Sequence, residues 1–335
     1  MKFLRFRSII GRKINIMKSE YCIGVDLGGT NIAVGLVDLK THEIVKQHSV
    51  KTNAPRSCEE ISRDINEVCV KLASMQGITM NDILWVGVAT PGIVKGGTVV
   101  RAFNLGWENV PFEKIVSEAT GRPAYIANDA NAAAYAEAIW GEGKGCHSLV
   151  AFTLGTGVGG GVILGGKILE GTNGFAAEMG HMVLDPSGRE CPCGKRGCIE
   201  AYCSATALIR ETKRMMTLYP KSSMWELVDG DIERVSGKTA FRAMEAGDRA
   251  ASIVVDQFIE HLAIGVSNVI NILQPDVVCI GGGISREGEV LLAPLRERVL
   301  HSSFGIEGSR TRVVAATFRN DAGIIGAALL GLQEN

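Results

Sequence analysis

Short apolar runs and one stretch of helical spacing organise the first part of the chain. Tyr21–Val25, Ile32–Asp38 and Ile44–Lys51 are strand-forming runs, and the tight turns between them predict an antiparallel meander. Between Cys58 and Met75, apolar side chains recur every three or four residues, which predicts an amphipathic helix. The same criteria predict strands at Ile83–Ala89, Ala124–Ala127, Ser148–Leu154, Asp276–Ile280 and Arg312–Thr317, and helices at Phe112–Thr120 and Ala322–Leu330.

One arrangement of elements occurs twice along the chain. An apolar strand, a turn of glycine and threonine and a second strand span residues 21–38 and again residues 148–165. This echo predicts two α/β halves with a ligand in the cleft between them, and a boundary near residues 130–148. We expect a small α/β domain at 21–130, completed by a C-terminal helix at 321–335, and a large α/β domain at 131–320. Within the large domain, helices dominate 205–272, and the segment 171–204 is a ligand-bearing loop region.

Composition and charge restrict the class of protein. Hydrophobic residues make up 46% of the 335 residues and charged residues 21%, which is typical of a globular chain. A formal net charge of −1 argues against a nucleic-acid-binding surface. Because no uninterrupted run reaches 18 apolar residues, we expect no membrane span. The basic start lacks an apolar core, so residues 1–20 are expected to be a disordered extension and not a secretory signal.

The cysteines indicate the compartment. There are nine of them, an odd number, and the chain shows no export signal. Reduced thiols and a cytoplasmic location are therefore expected. Five cysteines are scattered, mostly among apolar neighbours, and are expected to be small core residues.

Two glycine turns follow predicted strands. Gly28-Gly29-Thr30 follows the first strand and Gly155-Thr156-Gly157 follows a later one. Such turns expose backbone N–H groups that can bind phosphate oxygens, and side chains would obstruct that approach. Either turn alone could simply close a hairpin, but the pair favours a phosphate ligand. A dehydrogenase is rejected, because more strand and no helix follows the second turn.

Carboxylates lie at the ends of two predicted strands. Asp26 could organise Mg²⁺ through water or could cap a turn. Asn128 and Asp129 lie where a strand ends and a helix begins. They could cap that helix, or Asp129 could be a catalytic base, since α/β folds bind ligands at strand ends. Phosphoryl transfer to an alcohol requires a base of that kind.

His181 and three cysteines form the most specific pattern. Cys191, Cys193 and Cys198 lie in one short loop, ten residues and more after the histidine. Three thiolates and one imidazole complete the tetrahedral shell of a structural Zn²⁺, one ion per chain. The alternative is a chance group of reduced surface thiols. Cys203 is excluded, because it lies where a helix begins.

These motifs, in this order, resemble those of the ROK family of sugar kinases and sugar-responsive repressors. The resemblance runs from about residue 21 to the C-terminus and is strongest to the ATP-dependent ROK glucokinases. It implies a two-domain fold similar to that of actin and hexokinase, which agrees with the two halves described above. The residues that carry it are Asp26-Leu27-Gly28-Gly29-Thr30, Asn104-Leu105-Gly106-Trp107, Asn128-Asp129, Leu154-Gly155-Thr156-Gly157, Glu178-Met179-Gly180-His181 and the cysteine cluster ending in Glu200.

The resemblance also implies roles for the matched residues. Asp129 would be the general base for the 6-hydroxyl of a hexose, and Asp26 would lie near the Mg²⁺ that accompanies ATP. Ala177 departs from the pattern, because many family members have glycine before the sugar-binding glutamate. The sugar would be bound by Asn104, Asn128, Asp129, Glu178, His181 and Glu200. ATP would be bound by Asp26, Gly28, Gly29, Thr30, Thr156, Gly157, Gly282 and Gly283.

The favoured function is ATP-dependent phosphorylation of glucose to glucose 6-phosphate. An N-acetylmannosamine kinase or another hexose kinase of the family would use the same base and metal, and polyphosphate could replace ATP. A repressor needs a DNA-reading helix-turn-helix, for which the residues before Tyr21 are too few, and it has no chemical need of Asp129. A zinc hydrolase needs an open coordination position, which four protein ligands close. The expected partners are a hexose, ATP and further copies of the chain in a homodimer or larger homo-oligomer, with neither nucleic acid nor membrane.

Overall fold

The computed structural model describes residues 20–305 and 310–333. The basic extension expected at residues 1–20 lies outside this range, apart from Glu20. The chain divides into two compact units. The first runs to Ala132 and resumes at Gly323, and the second is Ala133–Ala322.

Strands and helices alternate through both units. The strands are β1 (Tyr21–Leu27), β2 (Asn31–Asp38), β3 (Glu43–Lys51), β4 (Ile83–Thr90), β5 (Ile93–Lys95), β6 (Thr98–Ala102), β7 (Trp107–Val110), β8 (Ala124–Asn128), β9 (Ser148–Leu154), β10 (Val158–Leu164), β11 (Lys167–Ile168), β12 (Val277–Gly281) and β13 (Arg312–Ala315). The α-helices are α1 (Cys58–Met75), α2 (Phe112–Thr120), α3 (Asp129–Ile139), α4 (Glu200–Cys203), α5 (Ala205–Leu218), α6 (Thr239–Glu245), α7 (Arg249–Leu273), α8 (Glu289–Ser302) and α9 (Ala322–Leu329).

Each unit contains a five-stranded sheet of the same design. The first has the order β3-β2-β1-β4-β8 and the second β11-β10-β9-β12-β13. In both, the first three strands of the order pair antiparallel, and the last two run parallel to the third. The echo between residues 21–38 and 148–165 is therefore the central hairpin of each sheet.

Local signals account for most element boundaries. Helix α1 begins at a capping box, in which the Glu60 N–H donates to Ser57 Oγ at 3.2 Å and the Ser57 N–H donates to Glu60 Oε2 at 3.1 Å. The strand predicted at Arg312–Thr317 is two residues shorter in the structure, where β13 ends at Ala315. Two features escape the sequence pattern: the small sheet β5-β6-β7, whose strands are three to five residues long, and α8, which contains Pro294.

Helix α9 lies directly on the backbone of the first sheet. A Cβ on Gly24 of β1 would overlap the carbonyl oxygen of Ile324, and a Cβ on Gly87 of β4 would overlap that of Ala327. Glycine is needed at both positions because the helix and the strands approach so closely. The first unit is thus built from chain segments on both sides of the second.

Helix α7 is the core helix of the second unit. Among the described residues it is the one helix whose length and composition would allow it to cross a membrane, although no uninterrupted apolar run marks it in the sequence. However, 61% of its most apolar window is buried inside the protein. Most of its apolar side chains pack inside the unit, among them Val254, Leu262 and Val266.

Candidate active site

The first glycine turn joins β1 to β2. The Gly28 N–H donates to the Asn31 carbonyl at 2.9 Å, which closes the turn. Thr52, a fully buried residue after β3, donates its hydroxyl to the Gly28 carbonyl at 2.7 Å and its N–H to the Thr30 carbonyl at 2.9 Å. A Cβ on Gly29 would lie 3.4 Å from the Asn104 Cβ, so this turn and Asn104 are neighbours in the first unit.

Two carboxylates lie at the same edge of the first sheet. Asp26 is near the end of β1, and Asp129 follows β8, which runs parallel to β1 with β4 between them. Burial raises the pKa of Asp26 to about 6, with repulsion from Asp129 as the second cause. Desolvation also raises the pKa of Asp129, although a hydrogen bond from the Ala130 N–H opposes the rise. The structure therefore brings together the two acidic groups that sequence reasoning considered separately.

The sequence left open whether Asn128 and Asp129 cap a helix or supply a catalytic base, and the structure gives each residue different contacts. The Asn128 Oδ1 accepts from the N–H groups of Ala130 and Asn131, so Asn128 caps α3. Its Nδ2 donates to the Gly92 carbonyl at 2.9 Å. The Asp129 Oδ1 accepts from the Ala130 N–H at 2.8 Å, and the Asn128 side chain also interacts with the Asp129 carboxylate. Asn128 fixes the start of the helix, and Asp129 presents a carboxylate.

The second glycine turn joins β9 to β10 in the second unit. The Gly155 N–H donates to the Gly157 carbonyl at 3.0 Å. From the start of α5, the Ala205 N–H donates to the Gly155 carbonyl at 2.7 Å, and the Thr206 hydroxyl donates to the Thr156 carbonyl at 2.8 Å. Helix α5 therefore holds this turn through two of its carbonyl groups.

Gly282 and Gly283 follow β12, the strand next to β9 in the second sheet. A Cβ on Gly282 would overlap the Leu154 backbone, just before the second glycine turn. The Gly282 carbonyl accepts from the Ser285 hydroxyl at 2.8 Å. The structure thus places these two glycines beside the second glycine turn.

Glu200 connects the second glycine turn to the cysteine loop. Its Oε2 accepts from the Val158 N–H at 2.9 Å, immediately after the turn. A Cβ on Gly157 would overlap this same oxygen, so glycine is required for the approach. Its Oε1 lies 3.7 Å from the Cys191 Sγ. One carboxylate therefore contacts both features.

The loop that carries Glu178 and His181 packs on β10. A Cβ on Gly160 would overlap the Ala177 carbonyl oxygen. Ala177 itself has φ 64°, a left-handed conformation in which glycine is favoured. The His181 N–H donates to the Glu178 carbonyl at 3.0 Å, which places the exposed Glu178 one helical turn before the histidine.

His181, Cys191, Cys193 and Cys198 converge in the second unit. Their ligand atoms all lie within 4.8 Å of one another. The His181 Nδ1 is 3.7 Å from the Cys191 Sγ, and the Cys193 and Cys198 Sγ atoms are also 3.7 Å apart. Sulfur ligands at the usual distance from a tetrahedral Zn²⁺ are about 3.8 Å apart. The residues therefore fit a zinc ion in both donor type and spacing.

Sequence reasoning missed Thr52 and Thr206, because their partners are backbone carbonyls far away along the chain. The residues predicted to bind the sugar and those predicted to bind ATP are each divided between the two units, whereas the four predicted metal ligands all lie in the second. The first unit holds Asp26, Gly28, Gly29, Thr30, Asn104, Asn128 and Asp129. The second holds Thr156, Gly157, Glu178, His181, Cys191, Cys193, Cys198, Glu200, Gly282 and Gly283.

Comparison with known proteins identifies the family to which this arrangement belongs. The family model described as "ROK family" matches residues 22–334. The chain belongs to the ROK family. The expected fold class, a mixed α/β fold of the actin-like and hexokinase-like type, is confirmed by its solved ROK relatives.

Glucokinases and a repressor are among the proteins that are similar to this chain. A glucokinase from Thermotoga maritima is 38% identical over 91% of this chain and 95% of that protein. A ROK glucokinase from Streptomyces griseus, solved with glucose and AMPPNP, is 36% identical, with a TM-score of 0.77 and coverage of 93% and 99%. A xylose repressor from Caldicellulosiruptor bescii is 30% identical over 93% of this chain and 78% of that protein.

Proposed function

We propose that this ROK protein is a glucokinase that transfers the γ-phosphoryl group of ATP to the 6-hydroxyl of glucose. The observation that carries the proposal is Asp129, a carboxylate at a strand end with one oxygen fixed by the Ala130 N–H and with a raised pKa. A base whose pKa is closer to the working pH is better suited to accept a hydroxyl proton. The glucokinase relatives from two bacterial genera support the same activity.

Asp129 acts on the sugar hydroxyl during transfer. The 6-oxygen attacks the γ-phosphorus, the bond from phosphorus to the ADP oxygen breaks, and the hydroxyl proton passes to the free oxygen of Asp129. Asn128 orients this carboxylate by capping α3 and through its side-chain hydrogen bond to Asp129, and it lies beside the base where the sugar would bind. A sugar sensor requires no such base, and this favours the kinase over the repressor.

The two glycine turns would hold the phosphates of ATP. Their backbone N–H groups supply hydrogen bonds, the Thr30 and Thr156 side chains add donors, and Gly282 and Gly283 would border the adenosine. Asp26 would hold Mg²⁺ through water, and the ion neutralises charge on the phosphates. Binding of the cation would also offset the burial and the repulsion from Asp129 that together raise the Asp26 pKa.

Asn104, Glu178, His181 and Glu200 would bind the sugar hydroxyls. The His181 Nδ1 faces the cysteines, so Nε2 remains for the sugar. The cluster residues would hold one Zn²⁺, which supplies structural order to the loop and takes no part in transfer. The ion would thereby fix the loops that carry Glu178 and Glu200.

The proposal extends to the setting of the enzyme. The first unit would be the small domain and the second unit the large domain, with boundaries near 130 and 320. Free thiols among the described residues and the use of ATP suit the cytoplasm. A homodimer or larger homo-oligomer is supported by exposed apolar side chains on the second unit, where Ile272 is 73% and Phe304 is 93% exposed.

The test is to compare Asp129→Asn with the wild-type protein in a coupled assay for ADP across a panel of hexoses. We expect glucose to be preferred and kcat to fall by about 10²–10⁴ in the variant, while glucose still binds. Asp38→Asn, at the opposite end of the same sheet, is the matched control and should retain full kcat. Near-normal kcat in Asp129→Asn would refute the assignment of the base, and a clear preference for N-acetylmannosamine would change the substrate.

A further inference from the structure

In each glycine turn, one backbone carbonyl accepts a hydrogen bond from the hydroxyl of a threonine outside the turn. In the first unit the Thr52 Oγ1 donates to the Gly28 carbonyl at 2.7 Å. In the second unit the Thr206 Oγ1 donates to the Thr156 carbonyl at 2.8 Å. The two threonines are 24 and 50 residues from their partners, so neither bond is a local turn contact.

A bond to one of these carbonyls determines where the next N–H group is directed. In a trans peptide, the C=O of one residue and the N–H of the next lie on opposite sides of the bond. When Thr52 holds the Gly28 carbonyl, the Gly29 N–H is therefore directed away from Thr52. By the same geometry, Thr206 directs the Gly157 N–H away from α5.

Two backbone hydrogen bonds also fix the orientation of peptides in these turns. The Thr52 N–H holds the Thr30 carbonyl at 2.9 Å, and the Ala205 N–H holds the Gly155 carbonyl at 2.7 Å. A glycine peptide rotates easily, since no Cβ restricts it. A rotated peptide would present a carbonyl oxygen, which repels phosphate, where an N–H is required.

We infer that Thr52 and Thr206 are positioning residues for the phosphoryl donor. Each fixes one peptide of a glycine turn so that its N–H faces the phosphates of the nucleotide. The inference rests on the proposed function for the identity of the donor, and it concerns donor affinity and not the chemical step.

The expected effect is of the size of one hydrogen bond. Loss of such a bond typically changes an equilibrium constant about two- to tenfold. Thr52→Val and Thr206→Val keep the side-chain shape and remove the donor. Each should raise the Kd for MgAMPPNP and the KM for ATP about two- to tenfold, with the KM for glucose unchanged within about twofold. The serine variants Thr52→Ser and Thr206→Ser should restore donor affinity.

Two other threonines provide matched controls. The Thr120 hydroxyl donates to the Val116 carbonyl at 2.8 Å at a buried position of the first unit. The Thr217 hydroxyl donates to the Lys213 carbonyl at 3.0 Å at an exposed position of α5. Thr120→Val and Thr217→Val remove hydroxyls of the same exposure that lie in helices, away from the turns, so they should leave nucleotide affinity unchanged.

The experiment measures MgAMPPNP binding by isothermal titration calorimetry and both KM values for the full chain. Valine variants that bind nucleotide like their controls, serine variants that do not restore affinity, or equal rises in both KM values would each overturn the inference. If Thr52→Val fails to fold, the exposed Thr206 decides the outcome alone. A wild-type protein that binds MgAMPPNP but phosphorylates no hexose would refute the proposed function, while the binding data still test the threonines. A wild-type protein that binds no nucleotide would overturn both.

Discussion

Asp26→Asn tests the electrostatics of the paired carboxylates. In the folded protein, burial and the nearby Asp129 raise the pKa of Asp26 from 3.8 to about 6. Folded protein therefore binds this proton more tightly than unfolded protein does between those two values. The contribution of Asp26 to stability is greatest below pH 4 and is lost as the pH rises to about 6.

The magnitude follows from the shift in pKa. About two pKa units correspond to about 3 kcal/mol at pH 8, where the group is ionised in both states. The carboxylate is partly accessible to solvent, which screens the charge, so we expect about 1–2 kcal/mol. Asparagine carries no charge, so the variant should be more stable than the wild-type protein by this amount at pH 8, and by about 1 kcal/mol less at pH 5.

The assay is urea unfolding at pH 5 and pH 8, followed by hydrogen exchange in peptides from β1 and β4, which report on the first unit. Asp276→Asn is a control of opposite sign, because hydrogen bonds from the Ser148 and His147 N–H groups and the Ser148 hydroxyl lower the pKa of Asp276. That variant should be destabilised at pH 8 and less so toward pH 3. An Asp26→Asn gain that is equal at pH 5 and pH 8 would refute the argument from burial and repulsion. Donor affinity in this variant should fall at pH 8, since the carboxylate near Mg²⁺ is lost.

Two predictions concern the second unit. Cys193→Ser should lower the zinc content below one ion per chain and raise the KM values for both glucose and ATP, because the segment from Glu200 to Thr206 also contacts the second glycine turn. Metal analysis and steady-state kinetics test this, with Cys58→Ser as the control. Full zinc content together with unchanged KM values would contradict the prediction. Ala177→Gly should stabilise the unit by about 0.5–1 kcal/mol, because alanine at φ 64° costs about 1–2 kcal/mol and the greater freedom of unfolded glycine offsets part of that. Ala176→Gly, which lacks a positive φ, should instead lower stability in the same urea titration, and a loss in both variants would count against backbone strain at Ala177.

Patterns confined to neighbouring residues were predicted well. The bounds of α1 match the predicted helix, because its apolar spacing and capping box lie within a single segment. The cysteine loop was recognisable since three ligands occur within eight residues. The sheet β5-β6-β7 was missed, because strands so short contain too few residues to establish a period.

Contacts that join distant segments could not be predicted. Nothing in the sequence indicates that Thr52 and Thr206 bind backbone carbonyls, since such partners have no side-chain signature. For the same reason, the sequence gives no sign that Glu200, beside the cysteine loop, accepts a hydrogen bond from the Val158 N–H next to the second glycine turn. The conformation of Ala177 gives a physical reason for the glycine that many family members have there.

The close packing of α9 on Gly24 and Gly87 has a consequence for how the chain folds during synthesis. The strands of the first sheet leave the ribosome early, but the helix that covers β1 and β4 follows the entire second unit. Until residues 322–329 emerge, the face of the sheet that α9 covers lacks its partner, and the first unit is incomplete. The second unit is continuous in sequence and needs no later segment, so it can fold first. The second unit can therefore be complete before the first, in contrast to the usual order in which N-terminal units fold first.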